Sequence, residues 1–377
     1  MEEIYDQIVI GGGVIGSSIA YQLAKRGHKV LVVERKFVGS EASSAAAGML
    51  GAQAEFKEES PLFQLALESR RLFPDLADEL FEHSGIDIQL MHNGMFKLAR
   101  SNERYQQLEQ LAAFQSGVGE KASIISTDTL LKKEQNVTSD IAGAMYLPNE
   151  SQVSAKHLTN AFIKSAIKFG AKVKEECSVE NLVIENDQVV GVTTPKGKFY
   201  ADKVVVATGA WSNSFSRYSD TDLHFYPVKG ECLAVRPKSA LINATIYDDS
   251  CYMVPKKDGR IIIGATSLPH QYNKSVSMEG MHQLMKSAMR IIPQLKEAKI
   301  EDVWAGIRPQ TRDQLPYLGP ISSVSGLFIA AGHYRNGILL SPITGKVMAD
   351  MIEEKKVSLT YQRAFSTDRE KQKVIGV

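Results

Sequence analysis

The sequence predicts an α/β fold: a Rossmann-type nucleotide-binding domain interrupted twice by a second α+β domain with a mainly antiparallel sheet. Three observations predict it. A strand, a glycine turn, a helix and a second strand follow one another from Tyr5 to Glu34. Buried parallel-type strands recur at the beginning, the middle and the end of the chain. The two stretches between them read as antiparallel strands. A length of 377 residues, set against a typical domain of roughly 150, leaves room for both units. The implied ranges are 1–84, 149–222 and 303–377 for the nucleotide-binding domain, and 85–148 and 223–302 for the second.

Each element has its own signal. Tyr5 to Ile10 is a short buried strand and Gly11 to Gly16 a turn. Val14 to Arg26 carries Ile15, Ile19 and Leu23 at helical spacing until Gly27 stops it, and His28 to Val33 is a strand ending in Glu34. The small residues Ser43 to Gly48 form a loop. Ser60 and Pro61 are an N-cap and first position for a helix running to about Glu82. Strands Gly94–Ala99 and Gly143–Leu147 flank two amphipathic helices. Ser154 to Phe169 is helical, with Leu158, Phe162 and Ala166 on one face and Gly170 at its end. Strands follow at Val173, Val179–Ile184 and Val189–Thr194, then in the run from Ala201 to Val206 that leads into Thr208 and Gly209. Leu223 to Val303 is strand-rich around one helix near Met278–Arg290. The last elements are strand Leu327–Ala331, loop Gly332–Gly337 and a helix to about Glu353.

Composition removes several function classes. Lys and Arg total 44 against 43 Asp and Glu, a net charge of +1, with no basic block, so nucleic acid is not an expected partner. Cys177, Cys232 and Cys251 are too few for a disulfide framework and lack zinc-ligand spacing, so no metal is expected. No apolar run approaches the roughly 18 residues of a membrane span. The start lacks a signal-peptide pattern. A cytoplasmic protein with no membrane partner is expected.

Gly11-x-Gly13-x-x-Gly16 follows a strand and opens a helix, with Glu34 18 residues beyond Gly16, near the ~20 of a dinucleotide fingerprint. The first glycine permits the tight turn, the second the approach of a pyrophosphate, and the third close helix–strand packing. Glu34 would accept a ribose diol, which disfavours a 2′-phosphate. This motif does not distinguish FAD from NAD. The hydroxyl and alanine loop Ser43–Gly48, together with Thr208-Gly209-Ala210-Trp211 after a second strand, favours FAD. Holding residues are thus expected at Gly11, Gly13, Val14, Ile15 and Gly16; at Glu34 and Arg35; at Ser43, Ser44, Ala47, Gly48 and Met49; and at Thr208, Gly209 and Trp211. A third group is Arg335, Asn336, Gly337, Ile338 and Leu339, where a helix N-terminus would face the negative charge of a reduced flavin. Arg308, after a short apolar strand, offers a fork matched to a carboxylate, and Tyr252 a second hydrogen bond. Arg335 either adds to the flavin-side charge or faces the substrate. The histidines show no metal spacing and read as structural.

Through Gly11–Gly16 with Glu34, Ser44–Ala52, Gly94–Leu98, Pro227–Cys232, Cys251-Tyr252, Trp304–Pro309 and Ala331–Leu340, the sequence resembles the flavin amine oxidases of the D-amino acid oxidase group, and among them the glycine oxidases. The resemblance runs almost the whole length. It implies an FAD-binding domain and a substrate-binding domain, and FAD-dependent oxidative deamination of glycine, sarcosine or D-alanine to the 2-oxo acid, ammonia and hydrogen peroxide. Hydride would pass to the flavin and oxygen would be the acceptor. A link to thiamine thiazole synthesis and a homotetramer are implied as well. By position, Arg308 clamps the substrate carboxylate, Tyr252 assists, and Arg335 sits near amine and flavin. Val179 holds the adenine end, and Met49, Gly51 and Ser267 line the substrate pocket. Related sarcosine oxidases carry a flavin-bonding cysteine beyond the position of Cys251, absent here, so the FAD is expected to be non-covalent. A D-amino acid dehydrogenase using a quinone or protein acceptor is the alternative.

Overall fold

The computed structural model describes residues 3–369; the outermost residues of the expected ranges 1–84 and 303–377 lie outside it. One sheet has five parallel neighbours in the order Lys172–Lys174, Val30–Val33, Ile4–Ile10, Gly197–Val206 and Leu327–Ala331. Tyr317–Pro320 closes its edge antiparallel, and the hairpin Asn181–Glu185/Gln188–Thr194 leans on Gly197–Val206. Val30–Val33 and Leu327–Ala331 are buried throughout, and Ile4–Ile10 is buried from Gln7 onward, as expected of a parallel sheet covered on both faces. Helices Val14–Lys25, Pro61–Ser84, Ala155–Lys168 and Gly337–Ile352 share one core with one face of this sheet. The hairpin and Phe215 cover the other.

The second sheet has nine strands. Phe225–Arg236 is its long central strand, bonded antiparallel to Lys299–Thr311 on one side and to Ile261–Gly264 and Leu268–Pro269 on the other. Tyr252–Pro255, Thr245–Tyr247, Met95–Ala99, Gly143–Leu147 and Ser123–Ile125 continue it. Among these pairings only Thr245–Tyr247 with Met95–Ala99 is parallel. The helix Met278–Ile291 closes a third core beneath it.

Serines start most helices. Ser60 accepts the Phe63 N–H at 3.1 Å, and Ser101, Ser126, Ser154 and Ser277 act alike. Two helices, Val14–Lys25 and Gly337–Ile352, begin at Gly13 and Asn336 with no side-chain cap. The stretch expected as loop Ser43–Gly48 differs: Ala42–Ala45 forms one helical turn, held where the Trp304 indole N–H donates to the Ala45 carbonyl at 2.9 Å. A distant indole satisfies this helix end, which local propensity cannot reveal. Val179, expected within a strand, precedes the strand Asn181–Glu185. Among the described residues no helix is long and apolar enough to cross a membrane.

Candidate active site

One continuous cavity, enclosing about 1920 Å³ with its mouth included, runs from the carboxyl ends of the parallel strands to the face of the second sheet. Its first part takes in Gly11, Gly13, Val14 and Ile15, then Glu34 and Arg35 at the end of the second strand, and Val179 beside them. Glu34 is fixed by the Gly12 N–H at 2.7 Å and the Lys36 N–H at 2.8 Å. Arg35 stacks its guanidinium 4.2 Å from the centre of the Trp211 ring. Ser43 accepts the Val14 N–H at 2.9 Å. Ala47, Gly48, Met49 and Gly51 form the floor, and Thr208, Gly209 and Trp211 a side wall. Arg335, Asn336, Gly337 and Ile338 bring the second uncapped helix start to the same space. Two helix N-termini that open on one cavity, neither capped by the side chain of its own N-cap residue, suit an anionic, extended dinucleotide. The residues present therefore fit FAD.

Four expected residues lie elsewhere. A Cβ on Gly16 would sit 1.9 Å from the Gly11 carbonyl oxygen, so Gly16 packs helix on strand behind the cavity. The Ser44 hydroxyl turns back onto the Gly39 carbonyl. Leu339 is buried among the helices. Ser267 is exposed and not in the wall, a correction to its place in the substrate pocket. The strand ends at Gly264, and it is Thr266 that turns inward: its hydroxyl accepts the Glu231 N–H at 2.9 Å. Its neighbour Ser267 faces out.

At the sheet face, two polar side chains lie flat over glycines. The Arg308 guanidinium covers Gly230, where a Cβ would fall 2.3–2.4 Å from its atoms. The Tyr252 phenol covers Gly264 and reaches the Cys232 thiol at 3.7 Å. Arg308 donates from Nη1 to the Thr266 carbonyl at 3.2 Å. Among the described residues it has no carboxylate within 4.0 Å. Arg335 is different. It pairs with Glu55 at 3.3 Å and donates to the Tyr247 hydroxyl at 3.1 Å. Burial works against its charge, but Glu55 and Tyr247 hold it above the ordinary guanidinium range.

Burial pushes the phenols of Tyr252 and Tyr247 above 10 and raises the Cys232 thiol, whereas it lowers His333 to about 3. All four are neutral at pH 7 and none is a base there. His333 hydrogen-bonds Thr344 at 3.1 Å and forms part of the wall. The sequence reading missed Glu55, Tyr247, Gly230 and Cys232. Gly230 did leave a signal, since a glycine inside a strand marks a close approach. Glu55 left none, because its partner is far along the chain.

The chain matches the model of the DAO family, described as FAD dependent oxidoreductase, over residues 6–351. It is 44% identical to the glycine oxidase of Geobacillus kaustophilus over 95% of both chains. The crystal structure of glycine oxidase from that organism superposes with a TM-score of 0.94 over 97% of this chain and 99% of the other. Identity to the Bacillus subtilis glycine oxidase is 40% over 98% of each chain. The bifunctional protein ThiO/ThiG of Trichormus variabilis is 34% identical over 93% of this chain and 53% of its own length.

Proposed function

The chain belongs to the FAD dependent oxidoreductase family, and from that premise we propose that it catalyses oxidative deamination of glycine and other small amines such as sarcosine and D-alanine. Glycine, oxygen and water give glyoxylate, ammonia and hydrogen peroxide. Its similarity to glycine oxidases along nearly the whole length supports the reading. The single observation that carries it is Arg308, a cation in the wall whose remaining N–H donors meet no protein anion among the described residues.

When bound, FAD would supply the two-electron redox chemistry, as acceptor of a hydride from the substrate α-carbon with oxygen as the final oxidant. Gly11, Gly13, Glu34, the floor from Ser43 to Met49 and the helix start at Gly337 would hold it. The chain contributes position. Arg308 takes the substrate carboxylate through two parallel N–H donors, and Tyr252, a neutral phenol, donates a further hydrogen bond. Arg335, neutralised by Glu55, leaves the carboxylate to Arg308. Met49 and Gly51 bound the space for the side chain. Among the described wall groups Tyr252, Tyr247, Cys232 and His333 are neutral and the Glu55 carboxylate is taken up by Arg335, so the amine is to arrive unprotonated, and orientation supplies the catalysis.

Two predictions arise here. Gly230→Ala should displace the Arg308 guanidinium while leaving the fold and FAD content intact, raising KM for glycine about a hundredfold; steady-state kinetics with flavin spectra check it. The value of kcat/KM should climb between pH 6 and 10. Its midpoint should follow the amine pKa of each substrate when glycine and sarcosine are compared; a flat profile would remove the unprotonated-amine requirement.

The FAD is read as non-covalent because no cysteine follows Cys251; acid precipitation should release all the colour. A cytoplasmic setting is supported by free, buried Cys177, Cys232 and Cys251. The homotetramer rests on the resemblance to the glycine oxidases, with exposed Ile300 and Val303 on the edge strand Lys299–Thr311 as apolar surface open to a second copy. A role in thiamine thiazole synthesis is supported by similarity to the ThiO/ThiG protein. A panel of small amines scored for peroxide tests the proposal, since a dehydrogenase would turn over without releasing peroxide.

A further inference from the structure

Behind Arg308 lies a buried ion pair that the chemistry above does not use. Glu231 is fully buried, and Lys229, two residues earlier on the same strand, is nearly so. Their charged atoms are 3.2 Å apart. Lys229 also donates to Asn273 Oδ1 at 3.1 Å. The carboxylate of Glu231 accepts the Ser277 N–H at 3.0 Å and the Ser277 hydroxyl at 3.2 Å, at the start of the helix Met278–Ile291. It is thus held by a lysine, a helix start and a hydroxyl, and has little freedom to move.

This fixed anion is bonded to one residue that touches Arg308. The Thr266 hydroxyl accepts the Glu231 N–H at 2.9 Å and donates to Glu231 Oε2 at 3.4 Å. The Thr266 N–H returns to the Glu231 carbonyl at 3.3 Å. Thr266 is therefore clasped by the main chain and the side chain of Glu231 together. Its carbonyl accepts the hydrogen bond from Arg308. On the same strand, Gly230 lies under the guanidinium and Cys232 meets Tyr252. A buried ion pair adds little stability over an apolar pair of the same size, so its placement here calls for another role.

We propose that Glu231 is a positioning residue for substrate binding: through Thr266 it fixes the direction of the Arg308 guanidinium, with Lys229 and Ser277 holding the carboxylate in place. The inference rests on the reading of Arg308 as the carboxylate anchor. Loss of the brace leaves Arg308 present and charged but free to swing, and a displacement of about 1 Å is enough to cost two orders of magnitude in such a site.

The test titrates the flavin-loaded enzyme with glycolate, which has the carboxylate but no amine, following the perturbation of flavin absorbance. Glu231→Gln should raise the glycolate Kd by about ten- to a hundredfold and KM for glycine in parallel, with kcat changed far less. Thr266→Val, which keeps the Lys229–Glu231 pair, should do the same and covers the case in which Glu231→Gln fails to fold. In an Arg308→Ala background Glu231→Gln should cost nothing more, because the group it aims is gone. A folded, yellow variant of either residue with glycolate affinity within about twofold of the parent overturns the proposal, twofold being the scale of unrelated context effects. Additive losses in the double variant, or loss of flavin alongside affinity in both single variants, also overturn it by assigning the network to stability. If Arg308→Ala itself binds glycolate normally, the anchor reading fails first and the proposal falls with it.

Discussion

Arg308→Ala is expected to raise KM for glycine by roughly 30- to 5,000-fold, the equivalent of about 2–5 kcal/mol for a charge left without its partner. In the complex the substrate carboxylate would sit against the sheet face near buried Tyr252 and Cys232. Removing the guanidinium strands that anion beside neutral groups. Arg335 cannot take over, because Glu55 and Tyr247 already engage it. The flavin spectrum and FAD content should be unchanged, since Arg308 stands on the strand Lys299–Thr311 of the second sheet. Steady-state kinetics on the yellow variant measure the effect. A KM equal to the parent's would take Arg308 out of substrate binding.

Gly16→Ala is expected to abolish FAD binding. The added methyl would lie 1.9 Å from the Gly11 carbonyl oxygen and 3.1 Å from its carbon. Both are backbone atoms of the first glycine turn, so no side-chain rotation relieves the clash. The helix Val14–Lys25 must move off the first strand, and its N-terminus leaves the cavity. The variant should purify colourless and stay so when FAD is added. Gly117→Ala, at a helix end with nothing within 4 Å of the new atom, is the control and should remain yellow.

What the sequence could disclose follows from how local each signal is. The turn Gly11–Gly16 and the acidic Glu34 declare themselves because a backbone conformation and a strand end fix them within one short unit. The parallel strands are legible for a related reason: burial on both faces leaves continuous apolar runs such as Val30–Val33. Ser267 went wrong because side-chain direction just past a strand end is set by the turn, here by Thr266 folding in toward Glu231. The pairing of Arg335 with Glu55 was out of reach, since it depends on two loops brought together by the whole fold. Sequence also offered Arg308 and Arg335 as similar cations. Their different partners, a lone carbonyl for one and a carboxylate with a phenol for the other, emerge only in three dimensions.

The most direct test of the central claim is to mix the purified flavoprotein with glycine in the absence of oxygen and then admit air. The account predicts that glycine bleaches the visible flavin absorbance, and that air restores it with equimolar peroxide and ammonia. A flavin that stays oxidised in excess glycine, or one that is bleached yet yields no peroxide in air, would contradict it.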